Sequence, residues 1–414
     1  MKILAIEVGQ FGDYYNSRYK QCEEYGADLF LLSGLSENDH WHANKFFIAN
    51  SLNIDDLISL AIEKHQIHHF DGVVTFAENS VIATAMIAEN LGLPTISTNA
   101  SIKSRNKIYM REAHAANHAP HPAFKLVNSM EDAIEAAQLI GYPVILKPTL
   151  GSASQFVYKI SSDEELTNAF DTASSGIHTM SQFTNEAIIK NLGPNALMIE
   201  SYLDGKEYLV EAYIWDGQTV IGSVVDRVTL EGNSFEDDVH HAPTSLTPEQ
   251  LAELAQAVHK GAVAQGLDRS IMHAEIRYHN DKPYIVEIAA RAGGGGLDFM
   301  ARISSGYCPI RAMLDISIGR KPMYEQYQRS GTDTFALCLI SAAGVVENIE
   351  VPDEVRNDPA VFMLKLIVKK GSKIKRPPYG NDIVGFIGVA GNSYSETEEK
   401  AISYSKKIIV RLIK

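Results

Sequence analysis

Residues 273–296 read HAEIRYHNDKPYIVEIAARAGGGG and contain two short apolar strands, each interrupted by a glutamate. Glu275 lies in the first strand and Glu287 in the second, and Asn280-Asp281 between them is typical of a β-hairpin turn. Such a hairpin can bring both carboxylates onto one face of a sheet. The stretch therefore predicts either a site for a divalent cation, Mg²⁺ or Mn²⁺, or a solvent-facing pair in which a lysine or arginine binds each glutamate.

Cationic and glycine-rich segments accompany the hairpin. Arg291 is followed by Gly293–Gly296, a run whose backbone N–H groups can approach an anion closely. Lys147 ends a buried strand and runs into the small-residue loop Gly151–Ser154, and Lys107 precedes both. Lysines, a flexible loop, acidic metal ligands and an arginine are the groups that phosphoryl transfer requires. The Walker pattern is absent, so the sequence does not indicate a P-loop enzyme.

The length and the net charge of the chain limit the number of domains and the classes of binding partner. The 414 residues should form two to four domains, and 37 Lys+Arg against 51 Asp+Glu give a net charge of −14. This acidic balance argues against general nucleic-acid binding and against attachment to anionic membranes. The longest apolar stretch, residues 335–346, is too short to span a bilayer. Three cysteines far apart in the sequence fit a reducing compartment, so we expect a cytoplasmic protein.

The chain divides into three predicted units. Residues 1–100 alternate strands and helices, which predicts an α/β domain with a doubly wound parallel sheet. Residues 101–315 begin with a predicted helix over residues 101–116 and continue as α+β with antiparallel strands. Residues 316–414 combine short strands with a closing helix, so a C-terminal α+β domain is expected. Gly9 and Gly12 lack the third glycine of a dinucleotide fingerprint, which disfavours an oxidoreductase.

The order of these motifs resembles the ATP-grasp superfamily. The matching segments are Asn106-Lys107 with Arg111, 145–148 followed by 151–154, 199–207, and Glu275 with 287–291. The resemblance implies a three-domain ATP-grasp architecture, with ATP bound between two α+β halves of the middle domain and a hinge near 198–207. The glycine run after Arg291 is similar to the carboxylate–amine ligase branch that contains bacterial L-amino acid ligases and carnosine synthase.

The resemblance also implies roles for individual residues. Those implied for ATP are Lys107, Lys147, Ser152, Ser154, Glu200, Tyr202, Leu203 and Glu207. The lysines would hold phosphates, Ser152–Ser154 would form a lid, the hinge from Glu200 to Leu203 would meet adenine, and Glu207 would meet the ribose. Glu275 and Glu287 would bind Mg²⁺ or Mn²⁺, and Arg291 would be catalytic, facing the reacting phosphoryl group. Ala289 stands where many members have asparagine, so a third side-chain ligand is lost or replaced by water.

A further segment, residues 234–243 (SFEDDVHHAP), is similar to an acid-x-x-His segment that lines the amino acid pocket in that branch. Asp237 and His240 would then hold a substrate ammonium group or assist its deprotonation, because a carboxylate and an imidazole can share a proton near neutral pH. Gly294 and Gly295 would face the same substrate. The alternative interpretation of the segment is an acidic surface loop.

The resulting expectation is an ATP-dependent carboxylate–amine ligase. It would form an amide or peptide bond on an amino acid through an acyl phosphate, releasing ADP and phosphate. Its expected partners are small carboxylates and amines, with a homodimer as the family-based assembly. Two alternatives remain: an ATP-grasp enzyme that activates another small acid, such as bicarbonate or formate, and a non-catalytic nucleotide-binding scaffold.

Overall fold

The computed structural model describes residues 1–8, 15–34, 45–151, 154–179, 192–229, 238–375 and 383–413. Four strands of the N-terminal unit are Lys2–Glu7 (β1), Asp28–Ser33 (β2), Phe46–Ile48 (β3) and Gly72–Val74 (β4). They pair in parallel in the order β3-β2-β1-β4. The helices of this unit are Asn16–Glu24 (α1), Ile54–His68 (α2) and Val81–Leu91 (α3). The parallel order confirms the predicted α/β class, and β1 is buried along almost its whole length, as a covered parallel strand should be.

A single residue, Asn106, separates two helices where the sequence pattern predicted one. The helices are Thr98–Arg105 (α4) and Lys107–Ala116 (α5). Asn106 has an extended backbone, its side-chain oxygen accepts a hydrogen bond from Ile108 N at 3.2 Å, and its amide nitrogen donates to Leu192 O at 2.9 Å. The continuous helix was therefore a wrong prediction, because the asparagine caps a new helix instead of continuing the old one. Lys107 becomes the first residue of α5.

The first half of the middle unit contains a four-stranded antiparallel sheet. Its strands are Phe124–Val127 (β5), Val144–Pro148 (β6), Tyr158–Ile160 (β7) and Leu197–Ser201 (β8). They hydrogen-bond in the order β5-β8-β6-β7. The helices Met130–Ile140 (α6) and Asp163–Gly176 (α7) bury small side chains such as Ala137 and Ala173 in the core of this sheet. The sheet presents Lys147 and Glu200 from adjacent strands.

An eight-stranded antiparallel sheet forms the centre of the molecule. Its strands are Glu207–Trp215 (β9), Gln218–Thr229 (β10), Asp238–Ala242 (β11), Ser270–His279 (β12), Lys282–Ala289 (β13), Asp333–Ile340 (β14), Val361–Leu366 (β16) and Ile383–Gly391 (β18). They pair in the order β13-β12-β9-β10-β11-β14-β18-β16. Because β11 pairs with both β10 and β14, strands from both sides of residue 316 share one sheet. The division into domains at 100 and 315 stays a prediction.

The remaining elements cover this sheet and its edge. Helices Pro248–Gln265 (α8), Leu297–Ser305 (α9) and Pro309–Ser317 (α10) belong to the middle unit. The C-terminal unit adds Gly344–Glu350 (β15), Lys373–Ile374 (β17), Ile409–Ile413 (β19), and the helices Asp353–Arg356 (α11) and Tyr394–Lys407 (α12). The order β17-β15-β19 defines a small separate sheet.

One apolar core joins the N-terminal unit to the large sheet. It contains Leu29 and Leu31 from β2 together with Tyr213, Ile271 and Tyr307. Burial of this shared core fixes the N-terminal unit against the middle unit, where it forms one side of the cavity described below. No helix among the described residues is long and apolar enough to cross a bilayer. The three cysteines are free thiols.

Candidate active site

A cavity of about 500 Å³ lies where the three units meet. It is lined by every described residue that the sequence placed in the site: Lys107, Lys147, Ser154, Glu200, Tyr202, Leu203, Glu207, His240, Glu275, Glu287, Arg291, Gly294 and Gly295. Ser152 and Asp237 lie outside the described residues. Residues more than 180 positions apart thus converge on one concave space, as expected of a ligand site.

Glu275 and Glu287 face each other across the β12–β13 hairpin. They are direct register partners, and a bulge follows Glu275. Both side chains are half-buried in the cavity. Burial raises the pKa of Glu275, and the negative charges of Glu287 and Glu207 raise it further. The pair therefore faces the cavity, and its charge is only partly offset by protein groups.

The donor set fits a hard divalent cation. The oxygens of two facing carboxylates are ligands that Mg²⁺ prefers, and Mg²⁺ usually completes its shell with water and phosphate oxygens. Within the described part of the chain no cluster of three or more histidine, cysteine, aspartate or glutamate side chains could hold a metal. The two-carboxylate arrangement with Ala289 nearby therefore suits a cation that is shared with a bound phosphate.

Lys107 and Lys147 approach the cavity from different elements. Lys107 Nζ, at the start of α5, donates to Gly151 O at 2.8 Å and lies 3.0 Å from Glu287 Oε2. Lys147 Nζ, on β6, lies 2.6 Å from Glu200 Oε2. Burial lowers the pKa of Lys147, with further lowering from the charges of Arg111 and Lys107. Two lysines close enough to influence each other electrostatically form a cationic wall suited to phosphate oxygens.

Glu200 anchors this cationic wall. Arg111 binds its carboxylate through two nitrogens, at 2.7 and 3.3 Å, and also donates to Val286 O at 2.6 Å. Burial alone would raise the pKa of Glu200, but the charges of Arg111 and Lys147 outweigh burial and lower it. The glutamate is thus a buried anion between two cations, and it holds Lys147 in place.

Glu207 is bound by two arginines that the sequence motifs did not indicate. Arg227 lies 2.6 Å from Glu207 Oε1 and Arg277 lies 3.0 Å from Oε2. Arg277 also donates to Leu203 O at 2.7 Å, which connects the segment between β8 and β9 to β12. Both arginines lower the pKa of Glu207 against the opposing effect of burial. Alternate residues of neighbouring strands share a face, but only the observed register shows that these arginines reach Glu207.

Arg291 is held by a residue from the N-terminal unit. Its guanidinium forms an ion pair with Glu78, and Arg105 binds the same carboxylate at 2.7 Å. Burial opposes ionisation of Glu78, but the charges of Arg291, Arg105 and Lys107 lower its pKa to about 2. Glu78 belongs to no motif in the N-terminal unit, so the sequence did not predict it as a site residue. The ion pair with Glu78 fixes the orientation of the Arg291 side chain at the cavity wall.

A second buried acid organises the glycine run. Glu211 accepts hydrogen bonds from Gly293 N at 3.0 and 3.1 Å and lies 2.7 Å from His273 Nδ1. A Cβ at position 293 would lie 2.4 Å from Glu211 Oε1, so any larger residue there would displace the Glu211 carboxylate. Gly295 and Gly296 have positive φ angles of 59° and 85°, which other residues rarely adopt. The glycines are therefore required by the backbone path along the cavity wall.

His240 approaches the glycine run from β11. It is buried, lines the cavity and pairs in register with Arg227 on β10. A Cβ at Gly295 would lie 3.3 Å from His240 Cε1. The predicted neighbour of His240 in the substrate site, Asp237, is outside the described residues, so the pairing of the two stays a prediction. An imidazole thus lies next to the glycine run, on the side of the cavity reached by β11.

Three family models match successive parts of the chain. The ATP-grasp domain matches residues 140–298, the ATP-grasp N-terminal domain matches 19–95, and the L-amino acid ligase C-terminal domain 2 matches 336–412. The first of these contains the Glu275–Glu287 pair, Lys147 and Arg291. The two facing glutamates and these two cations therefore fall within the segment that matches the ATP-grasp domain.

Individual relatives agree with these matches. The chain is 23% identical over 340 residues to an L-arginine-specific L-amino acid ligase of Bacillus subtilis, covering 81% of this chain and 78% of that protein. It is 22% identical over 284 residues to carnosine synthase 1 of Homo sapiens, covering 66% of this chain and 34% of that protein. The fold matches the crystal structure of an L-amino acid ligase from Bacillus licheniformis with a TM-score of 0.83, 21% identity and coverage of 100% and 99%.

Proposed function

The chain is an ATP-grasp ligase, and from this premise we propose that it joins the carboxylate of one small substrate to the amine of another, at least one of them an amino acid. The observation that carries the proposal is the register pairing of Glu275 with Glu287 inside a cavity that also holds Lys107 and Arg291. Facing carboxylates and converging cations are the groups needed to bind a nucleoside triphosphate with its metal and transfer its terminal phosphoryl group.

ATP is proposed to lie along the side of the cavity formed by β6, β8 and β12. Lys107 and Lys147 would contact its phosphates, and the backbone near Tyr202 and Leu203 would meet adenine. Because Glu200 already binds Arg111 and Lys147, we assign it a positioning role for the lysine instead of direct contact with the nucleotide. Glu207 would meet the ribose while the two arginines keep it ionised.

Glu275 and Glu287 would hold Mg²⁺ or Mn²⁺, which would supply positive charge to offset the negative charge of the phosphates. Lys107, which lies beside Glu287, would add a second positive charge there. The excess negative charge that raises the pKa of Glu275 supports a cation there. Ala289 offers no side-chain oxygen, so the two glutamates would be the side-chain ligands that the hairpin supplies.

The reaction is proposed to proceed in two steps. A substrate carboxylate oxygen attacks the γ-phosphorus, the bond to the β-phosphate oxygen breaks, and ADP leaves behind an acyl phosphate. The amine nitrogen then attacks the acyl carbon, phosphate departs with the bonding electrons, and the amine loses a proton. Arg291 and the N–H groups of the glycine run beyond Gly293, whose own N–H donates to Glu211, would stabilise the oxyanions, a contribution of about 3–4 kcal/mol per donor in comparable sites.

His240 would receive the amine proton or hold the substrate ammonium group, because it is buried beside Gly295. Asp237 is proposed as its partner. Gly294 and Gly295 would leave room for the substrate along the wall, and Ser152 and Ser154 would close over the phosphates. A homodimer stays a prediction.

The test is phosphate and ADP release from Mg·ATP with the full chain and a panel of amino acids, singly and in pairs. Hydroxylamine is added to trap an acyl phosphate as a hydroxamate. We expect ADP release that depends on an amino acid, and a hydroxamate with the acid that is activated. ADP release with bicarbonate or formate alone would support the other acid-activating reaction, and no ADP release with any acid would support a nucleotide-binding scaffold.

A further inference from the structure

An aromatic ring lies in the short segment that joins the four-stranded sheet to the eight-stranded sheet. Strand β8 of the first sheet ends at Ser201, and strand β9 of the second begins at Glu207. Tyr202 directly follows β8 and lines the cavity. Lys159 Nζ lies 4.1 Å from the centroid of the Tyr202 ring, and Arg277 Cζ lies 5.6 Å from it. Both cations are therefore within the range of a cation–π contact with one ring.

The two cations belong to different sheets. Lys159 lies on β7 of the four-stranded sheet, and Arg277 lies on β12 of the eight-stranded sheet. Strand β7 is at an edge of its sheet and is hydrogen-bonded to β6. The Tyr202 ring thus contacts one side chain from each of the two sheets that enclose the cavity.

Arg277 holds the ring side of this arrangement in a defined place. It donates to Leu203 O at 2.7 Å and lies 3.0 Å from Glu207 Oε2. The backbone N–H of Tyr202 donates to Pro143 O at 3.2 Å, just before β6. Because the tyrosine backbone and the guanidinium are both anchored, the ring is a fixed surface against which Lys159 can rest.

Lys159 lies beside the wall of the cavity without being part of it. It is exposed and is not among the described residues that line the cavity. Its register partner on β6 is Ile145, which lines the cavity together with Val157. Leu209 on β9 lines the cavity from the other sheet. The position of β7 relative to the large sheet therefore sets the space between these walls.

We propose that the Tyr202 ring, in contact with Lys159 and Arg277, holds the two sheets at the separation that binds the nucleotide. Lys159 and the Tyr202 side chain are positioning residues, because they act on the walls of the site through each other. This inference rests on the nucleotide site of the proposed function and adds a role for two side chains there. A cation–π contact at a partly exposed position corresponds to about a two- to fivefold change in an equilibrium constant.

The experiment measures the Kd of Mg·ADP for the full chain by titration calorimetry, without any acid or amine. Lys159→Gln should weaken binding about two- to fivefold, and Tyr202→Leu, which removes both contacts, about tenfold. Tyr202→Phe keeps the ring and should retain most of the affinity. The double variant of Lys159→Gln and Tyr202→Leu should bind no more weakly than Tyr202→Leu alone, because the lysine acts through the ring.

Lys125→Gln is the matched control, since Lys125 is an exposed lysine on β5 of the same sheet and lies 3.8 Å from Glu135. It should bind Mg·ADP as wild type does. Each protein is titrated below its thermal midpoint measured without nucleotide, so that loss of folded protein is not counted as weak binding. If Tyr202→Leu does not fold, the exposed Lys159→Gln variant still decides between the outcomes.

Three results would overturn the proposal. One is a Kd for Lys159→Gln equal to that of the Lys125→Gln control. The second is a Tyr202→Phe variant that binds as weakly as Tyr202→Leu, which would assign the effect to the hydroxyl group. The third is full additivity of the two changes in the double variant, which would mean that Lys159 acts independently of the ring.

Turnover separates this inference from the proposed function. Where an acid supports ADP release, Lys159→Gln should raise KM for ATP by the factor seen in the Kd, with a smaller change in kcat. If Mg·ADP binds wild type but no acid supports ADP release, the ligase function fails while the Kd values still support or overturn the role of the ring. Unchanged Kd values in an active ligase would overturn the role of the ring alone.

Discussion

Glu275 and Glu287 are register partners in adjacent antiparallel strands, so their carboxylates project from directly opposite positions into one cavity. In a sheet this arrangement of like charges is unfavourable. Lys107 offsets the charge of Glu287, whereas the pKa of Glu275 is raised. A bound cation would therefore lower the electrostatic energy of the two carboxylates. This is why the geometry of the pair favours metal-dependent chemistry.

Glu287→Gln should abolish ADP formation, with a loss on the order of 10²-fold or more, because it removes a charged ligand where transition-state charge is stabilised. Steady-state ADP release at several Mg²⁺ concentrations checks this. Glu253→Gln is the matched control, since Glu253 on α8 pairs with Lys282 of the same hairpin and its side chain is 44% exposed, outside the cavity. Retained turnover in Glu287→Gln at ordinary Mg²⁺ concentrations would remove the metal role from this residue.

Glu200→Gln should destabilise the fold. The change leaves Arg111 and Lys147 as buried cations without their shared anion, and breaking a buried ion pair costs about 3–5 kcal/mol. Urea denaturation measures the free energy of unfolding of the variant, with Glu253→Gln expected to match wild type. A variant as stable as wild type would mean that the two cations are compensated by other groups.

The hairpin and its two glutamates could be predicted from sequence, because alternation along a strand and a two-residue turn fix which face each residue occupies. Lys147 was likewise indicated by its position at the end of a predicted buried strand, and Lys107 by its position ahead of that strand. The break at Asn106 was not, since helix periodicity continues through it and only the cap at Ile108 N reveals the new start.

The partners of the predicted residues could not be predicted in the same way. Arg227 and Arg277 reach Glu207 only because β10, β9 and β12 adopt one particular register. Glu78 reaches Arg291 across 213 residues because the N-terminal unit packs against the large sheet. Such contacts depend on tertiary packing, and a sequence pattern confined to one element carries no information about them.

Glu7→Gln should make the protein more stable than wild type as pH rises. Glu7 is protonated in the folded state up to about pH 8, whereas its ordinary pKa is 4.5. Between these values the unfolded chain releases a proton that the folded chain keeps, so wild-type stability falls with rising pH. Glutamine stays neutral in both states and escapes that loss.

The free energy of unfolding of Glu7→Gln minus that of wild type should therefore grow between pH 5 and pH 8 by up to about 1.4 kcal/mol per pH unit. Below pH 4.5 the difference should level off, because both states of wild type are then protonated. Urea denaturation at four pH values provides the measurement. A difference that stays constant from pH 5 to pH 8 would show that Glu7 is ionised in the folded protein.

His240→Gln should raise KM for the amino acid substrate about tenfold or more while KM for ATP changes less than about twofold, since hydrogen bonds to charged groups contribute about 1.5–3 kcal/mol. The physical reason is location: His240 is buried in the cavity next to Gly295. The adjacent His241 provides the control, because its ring packs on Tyr394 and its Nε2 lies 3.0 Å from Asp333 Oδ1. His241→Gln should lower stability and leave both KM values near those of wild type. Equal KM changes in the two variants would show that disturbance of β11, and not contact of His240 with the substrate, causes the effect.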